Sequence, residues 1–184
     1  MTELASPNQL RAAFLRWALV LVPAVLLLGF LSGRVAGNGP GNVWFDALVK
    51  PSLFPPPVLF GIVWSILYVM IGLAVAVIAA ARGAAGRGLA LATFVVQLVL
   101  NLSWSPLFFG AHQISAALVV MFVLDLAVAI TLFLFARIRS LAGWLLVPYL
   151  AWVLFATLLN FQFLQANPDA DGRDGSKPVT RIQI

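Results

Sequence analysis

Three apolar stretches of the chain carry ring and amide side chains at helical spacing, and these are the residues that could do chemistry. In Val58–Ala81, Phe60, Trp64 and Tyr68 recur every four residues and so share one helix face. In Leu89–Phe109, Gln97, Asn101, Ser105 and Phe108 form a polar-aromatic stripe, with Trp104 three residues after Asn101. In Leu141–Leu164, Pro148, Trp152, Ala156 and Asn160 line up behind Tyr149. Hydrocarbon penalises unpartnered polar groups, so such side chains need partners on other helices or on a ligand. Stripes converging on one pocket would suit a flat, largely apolar molecule with a few polar handles. The same amides could instead tie helices together, at about 0.6 kcal/mol each, and aromatics near span ends could anchor the interface. On these residues alone, pocket and packing are equally favoured.

Asp125 is the one acid deep in an apolar stretch. An intramembrane carboxylate is by default a candidate for a proton relay or cation path. A pump usually needs a chain of such groups, and no basic residue lies at comparable depth, so helix packing or a water-filled crevice is favoured over ion transport. The absence of cysteine excludes disulfides, thiolate chemistry and iron–sulfur clusters. A lone His112 cannot build a multi-histidine metal site, and no metal is expected. No Ser-His-Asp set, paired carboxylate or phosphate-cradling loop lies at membrane depth. Gly72, Ala76 and Ala80 form a small-residue face that permits close helix approach, within a bundle or between two copies.

The elements that must position these residues follow from composition. Of 184 residues, 62% are hydrophobic and 9% charged, and the mean hydropathy is +1.04. A soluble domain carries roughly 25% charged residues, so most of this surface must face lipid. Five apolar runs, 13–32, 58–81, 89–109, 114–136 and 141–164, each match the length needed to cross about 30 Å of hydrocarbon. They are continuous rather than alternating, which argues against strands. The predicted fold is all-α, an integral membrane bundle of five transmembrane helices occupying residues 1–166. Arg11 and Arg16 ahead of the first run, with Val35-Ala36-Gly37 after it, also fit a signal peptide, but a full span is favoured by length.

Residues 33–57, rich in Gly and Pro and containing Val43-Trp44-Phe45, form a long first loop. Long loops in compact domains are usually functional or disordered, and an ordered lid is favoured over a plain connector. Residues 167–184 read as a polar, disordered tail. Arg11, Arg16, Arg82, Arg87, Arg137 and Arg139 fall on one side, which places the N-terminus in the cytoplasm and the C-terminus outside. The net charge of +5 is scattered along the chain as topology signals, so nucleic acid is not an expected partner.

Three segments then match something specific. KPSLFPPPVLFGIVWSILYVMIG (Lys50–Gly72), QLVLNLSWSPLFFGAHQ (Gln97–Gln113) and VPYLAWVLFATLLNF (Val147–Phe161) resemble signature blocks of the TspO/MBR family, the tryptophan-rich sensory and translocator proteins. Trp44-Phe45-Asp46-Ala47-Leu48 resembles the element that precedes them. The resemblance implies a five-helix bundle, usually a homodimer, whose pocket is capped by the first loop and binds porphyrins such as protoporphyrin IX. It matches Trp64 and Trp152 to two tryptophans implicated in porphyrin handling. Tyr68, Asn101, Trp104 and Phe108 match other pocket positions, Ala156 lies one turn beyond Trp152, and Trp44, Pro51 and Leu53 fall in the lid.

Two departures bear on the ligand. Ser52 and Leu53 stand where the family often has tryptophan after Lys-Pro, so lid contacts should differ. Phe161 replaces the tyrosine of a proposed cholesterol-recognition pattern, with no basic residue before Arg173, so cholesterol is not expected as the natural ligand. The expected function is a sensor or regulator that binds a metal-free porphyrin in a bacterial cell envelope, without a resident cofactor. The alternatives are light- and oxygen-dependent porphyrin breakdown, with Trp64 and Trp152 beside the excited ring, or transport of porphyrins or other amphipaths.

Overall fold

Backbone amides in lipid can be satisfied within a single continuous segment only by a helix, and the apolar runs of this chain fold accordingly. The computed structural model describes residues 7–38 and 41–172. Its helices are α1 (Pro7–Val35), α2 (Val43–Ala47), α3 (Pro57–Ala80), α4 (Arg87–Ser105), α5 (Ile114–Ile138) and α6 (Ser140–Ala166). All but α2 supply spans long and apolar enough to cross a membrane. No strand occurs among the described residues. Around the bundle, α1 packs on α3, α3 on α6, α6 on α5 and α5 on α4, and α4 closes the ring against α1 and α3. Leu19, Leu27, Phe122, Phe133 and Trp144 point outward, the orientation expected when the solvent is acyl chain.

Close packing substitutes for the hydrophobic driving force that lipid removes. A Cβ on Gly72 would lie 2.6 Å from the Val22 Cα, so α1 and α3 touch backbone to backbone there. Ala76 is fully buried on the same face. The small-residue face at Gly72 and Ala76 is therefore used inside the bundle.

Proline shapes the end of α4. Pro106 has no N–H to donate to the Leu102 carbonyl, and the Ser32 hydroxyl of α1 donates to that oxygen instead. The helix then widens into a π turn over Pro106–Gly110. The wider turn accompanies burial of two consecutive rings, Phe108 and Phe109.

The first loop contains a short helix: Asn42 caps α2 by accepting from the Phe45 N–H at 2.8 Å, which satisfies one of the orphan donors of a helix start. One feature departs from the sequence reading. The expected tail is structured over its first residues. Asn167 ends α6, Pro168–Ala170 make a single 3₁₀ turn, and Asp171 Oδ1 accepts from the Ser115 N–H at the start of α5. The rest of the expected tail, 173–184, lies outside the described residues, as do 1–6 and 39–40. Helix ends otherwise differ from the predicted spans by a few residues, most at α1, which begins at Pro7 and includes Arg11 and Arg16.

Candidate functional site

The α3 and α4 stripes meet in the middle of the bundle. Tyr68 lies beneath Trp64 with ring centroids 5.2 Å apart and planes 30° from parallel, and its hydroxyl donates to Asn101 Oδ1 at 3.2 Å. From α6, the Tyr149 hydroxyl donates to Gln97 Oε1 at 2.9 Å, and its ring meets Trp64 edge-on at 6.3 Å. Tyr68, Gln97, Asn101 and Tyr149 are all buried, whereas Trp64 is half-buried. A layer of phenol and amide groups thus joins three helices behind one indole face.

One turn nearer the lid, the Trp104 indole donates to Asn160 Oδ1 at 2.9 Å, and Asn160 Nδ2 donates to the Ile114 carbonyl at 3.0 Å. Phe108 stacks on Trp104 at 5.1 Å and 22°. The lid closes over this layer. Trp44 is buried with its edge to Phe108 and its face on His112, the latter pair 4.5 Å apart and 20° from parallel. Phe45 contacts Phe108, Phe109 and Phe163, and Phe54 contacts Phe45, Phe60 and Phe163. Lys50 folds back over the Phe45 ring at 4.3 Å and donates to the carbonyls of Phe45 and Leu48. Burial pulls the Lys50 ammonium below its ordinary value, and the Asp46 carboxylate partly opposes that.

Not every residue of the predicted site joins this interior. On α6 the inward line is Tyr149, Val153, Thr157 and Asn160, while Pro148 is exposed. Trp152 instead lines a groove of about 380 Å³ between α3 and α6 with Val63, Ile66, Leu67, Met70, Pro148 and Ala151. Its ring meets Phe60 at 5.8 Å. Ala156 is partly buried against the main core. In the lid, Pro51 is half-buried and Leu53 is 50% exposed. The inward-facing residue is the next one, Phe54, whose position just before Pro55-Pro56-Pro57 was the available signal.

Asp125 lies at the α5–α6 contact, its Oδ2 2.8 Å from the Thr157 hydroxyl. Among the described residues no cluster of three or more His, Asp or Glu side chains could hold a metal. Among the described residues, three buried donors have no acceptor: the indole nitrogens of Trp44 and Trp152, and Gln97 Nε2. A buried unpaired donor is unfavourable by roughly 1–3 kcal/mol, so each of these groups lacks the partner that an acceptor oxygen would supply.

Comparison with known proteins gives a consistent result. A model of the TspO/MBR family matches residues 19–165. The Tryptophan-rich protein TspO of Chlorobaculum tepidum is 42% identical over 146 residues, covering 78% of this chain and 90% of its own length. Protein CrtK of Rhodobacter capsulatus is 38% identical over 145 residues, covering 77% and 84%. The human Translocator protein is 37% identical over 136 residues, covering 73% and 80%.

Proposed function

This chain, an integral multi-pass membrane protein, belongs to the TspO/MBR family, and from that premise we propose that it is a membrane receptor for a metal-free porphyrin such as protoporphyrin IX, acting as a sensor or regulator. The observation that carries the reading is the Trp64–Tyr68 stack, backed by the Tyr68–Asn101 hydrogen bond, in an interior shared by α3, α4 and α6.

Lipid already dissolves an apolar macrocycle, so burial alone confers little preference over the bilayer. Selectivity must come from what acyl chains lack. Ring stacking adds roughly 0.5–1.5 kcal/mol per aromatic pair, and a buried hydrogen bond a similar net amount. Two rings and one polar contact give a hundredfold or so, which suits reversible sensing better than cofactor retention. The unpaired donors of Trp44 and Gln97 complement carboxylate or carbonyl oxygens on such a ring.

We place the protein as a homodimer in a bacterial cell envelope. The N-terminus of α1 and the arginines at 82, 87, 137 and 139 face the cytoplasm, with the lid outside. Titration of protoporphyrin IX into the purified protein, followed by tryptophan quenching, tests the reading. Trp64→Ala should bind about fivefold to tenfold more weakly; unchanged affinity would remove the assignment.

A further inference from the structure

The residues that follow the last span make contacts which a trailing segment would not require. Asn167 is buried, and its side-chain amide pairs with a backbone unit of the lid from both ends. Its Oδ1 accepts from the Val49 N–H at 2.8 Å, and its Nδ2 donates to the Val49 carbonyl at 3.0 Å. The same Nδ2 lies 3.0 Å from the Phe163 carbonyl, which also accepts from the Asn167 backbone N–H at the end of α6. Residues 49 and 167 are far apart in sequence, so this is a tertiary link and not a local turn.

The segment then crosses to the start of α5. Asp171 Oδ1 accepts from Ser115 N–H at 3.1 Å, and Gly172 N–H donates to the His112 carbonyl at 2.8 Å. Gly172 has φ +71, a conformation that favours glycine. His112 has φ +57, a strained backbone for a residue with a Cβ, and its ring is the one stacked on Trp44 of the lid. The two ends of this strap therefore hold the lid at two places, Val49 directly and Trp44 through His112.

We propose that Asn167–Gly172 is the latch of the lid, with Asn167 setting how often the lid opens over the aromatic layer beneath it. From the preceding section the proposal takes only that a molecule is admitted under the lid. The lid rings pack directly on Phe108, Phe109 and Phe163, so a guest in that layer requires them to lift. Lifting α2 away from α6 breaks both Val49 bonds. The latch would thereby report occupancy to the C-terminal face of the protein.

The chain has no cysteine, which permits a direct test. Leu48→Cys places a single thiol at a buried lid position, and its modification by a water-soluble maleimide in the full-length, nanodisc-embedded protein reads opening. Adding Asn167→Ala should speed labelling about tenfold, equivalent to 1.4 kcal/mol. His112→Ala, which removes the Trp44 stack without touching Asn167, should speed it severalfold. Thr93→Val, toward the opposite end of α4, should leave it unchanged. Equal labelling with and without Asn167, in protein whose helical signal is intact, overturns the latch whatever the protein binds. If Asn167→Ala does not fold, Asn167→Asp carries the test: it keeps an acceptor for the Val49 N–H but loses the donor to the Val49 carbonyl, and unchanged labelling overturns the proposal. Faster labelling with no affinity for protoporphyrin IX supports the latch and removes the pigment reading instead.

Discussion

Gly29 of α1 lies against the ring at the centre of the site, so the smallest possible side-chain addition there should disturb it. A Cβ at position 29 would fall 2.2 Å from Tyr68 Cε2, 2.3 Å from Cζ and 2.8 Å from Cδ2. Carbon–carbon contacts settle near 3.5–4.0 Å, so the ring must retreat by about 1.5 Å. It has little room to do so, because Trp64 stacks on one face and Phe30 meets it at 6.3 Å. Displacement loses the stack, roughly 0.5–1.5 kcal/mol, and the 3.2 Å bond to Asn101, roughly 1 kcal/mol net.

Gly29→Ala should therefore destabilise by about 1.5–2.5 kcal/mol, a fall in melting temperature of about 3–10 °C for a chain of this size. Gly61→Ala supplies the internal control. It makes the same substitution on an exposed face of α3 with nothing within 4 Å, and should be neutral or slightly stabilising through helix propensity. Thermal unfolding followed by tryptophan emission reads both. If Gly29→Ala melts with the unsubstituted protein, the ring is not clamped as described, and the link between α1 packing and the site fails.

Other perturbations separate the layers. Asn160→Leu leaves the Trp104 indole and the Ile114 carbonyl without their side-chain partner, and should cost about 1–3 kcal/mol in thermal unfolding; a neutral result would make that amide dispensable. Asp125→Asn keeps an acceptor for Thr157 while removing an intramembrane carboxylate. The melting temperature should hold or rise, and proteoliposome uptake of porphyrin should not change; abolished uptake would restore a transport role. Lys50 bears a pKa held low by burial, so the folded state binds fewer protons than the unfolded one just below the ordinary lysine value of about 10.4. Stability should rise with pH through that window, and Lys50→Met should flatten the rise in a pH series of unfolding curves.

Hydropathy and length were sufficient to locate the spans, because lipid leaves the backbone almost no alternative. The face shared by Trp64 and Tyr68 was equally legible, since the two are one helical turn apart. The α6 stripe was not. Steps of four residues advance about 40° beyond a full turn, so from Pro148 to Asn160 the line drifts about 120°. Pro148 consequently faces outward and Asn160 inward, and the buried line runs instead through Tyr149, Val153 and Thr157. Phe54 is hard to read from sequence because it lies beyond the two positions that follow Lys50-Pro51, although its ring is the one that reaches the core cluster. Asn167 could not be read at all, since an asparagine at a helix end is an ordinary terminator until the carbonyl and amide of Val49 are seen opposite its side chain.

The most direct measurement of the central claim compares protoporphyrin IX dissociation constants, read from the porphyrin absorption band, for Trp64→Ala and Trp144→Ala. Trp64 stacks within the interior, whereas Trp144 is 71% exposed on the lipid-facing surface. Trp64→Ala should weaken binding about fivefold to tenfold, and Trp144→Ala should leave it unchanged. Equal loss in both variants, or loss only at Trp144, would place the pigment on the outer surface and contradict an interior site.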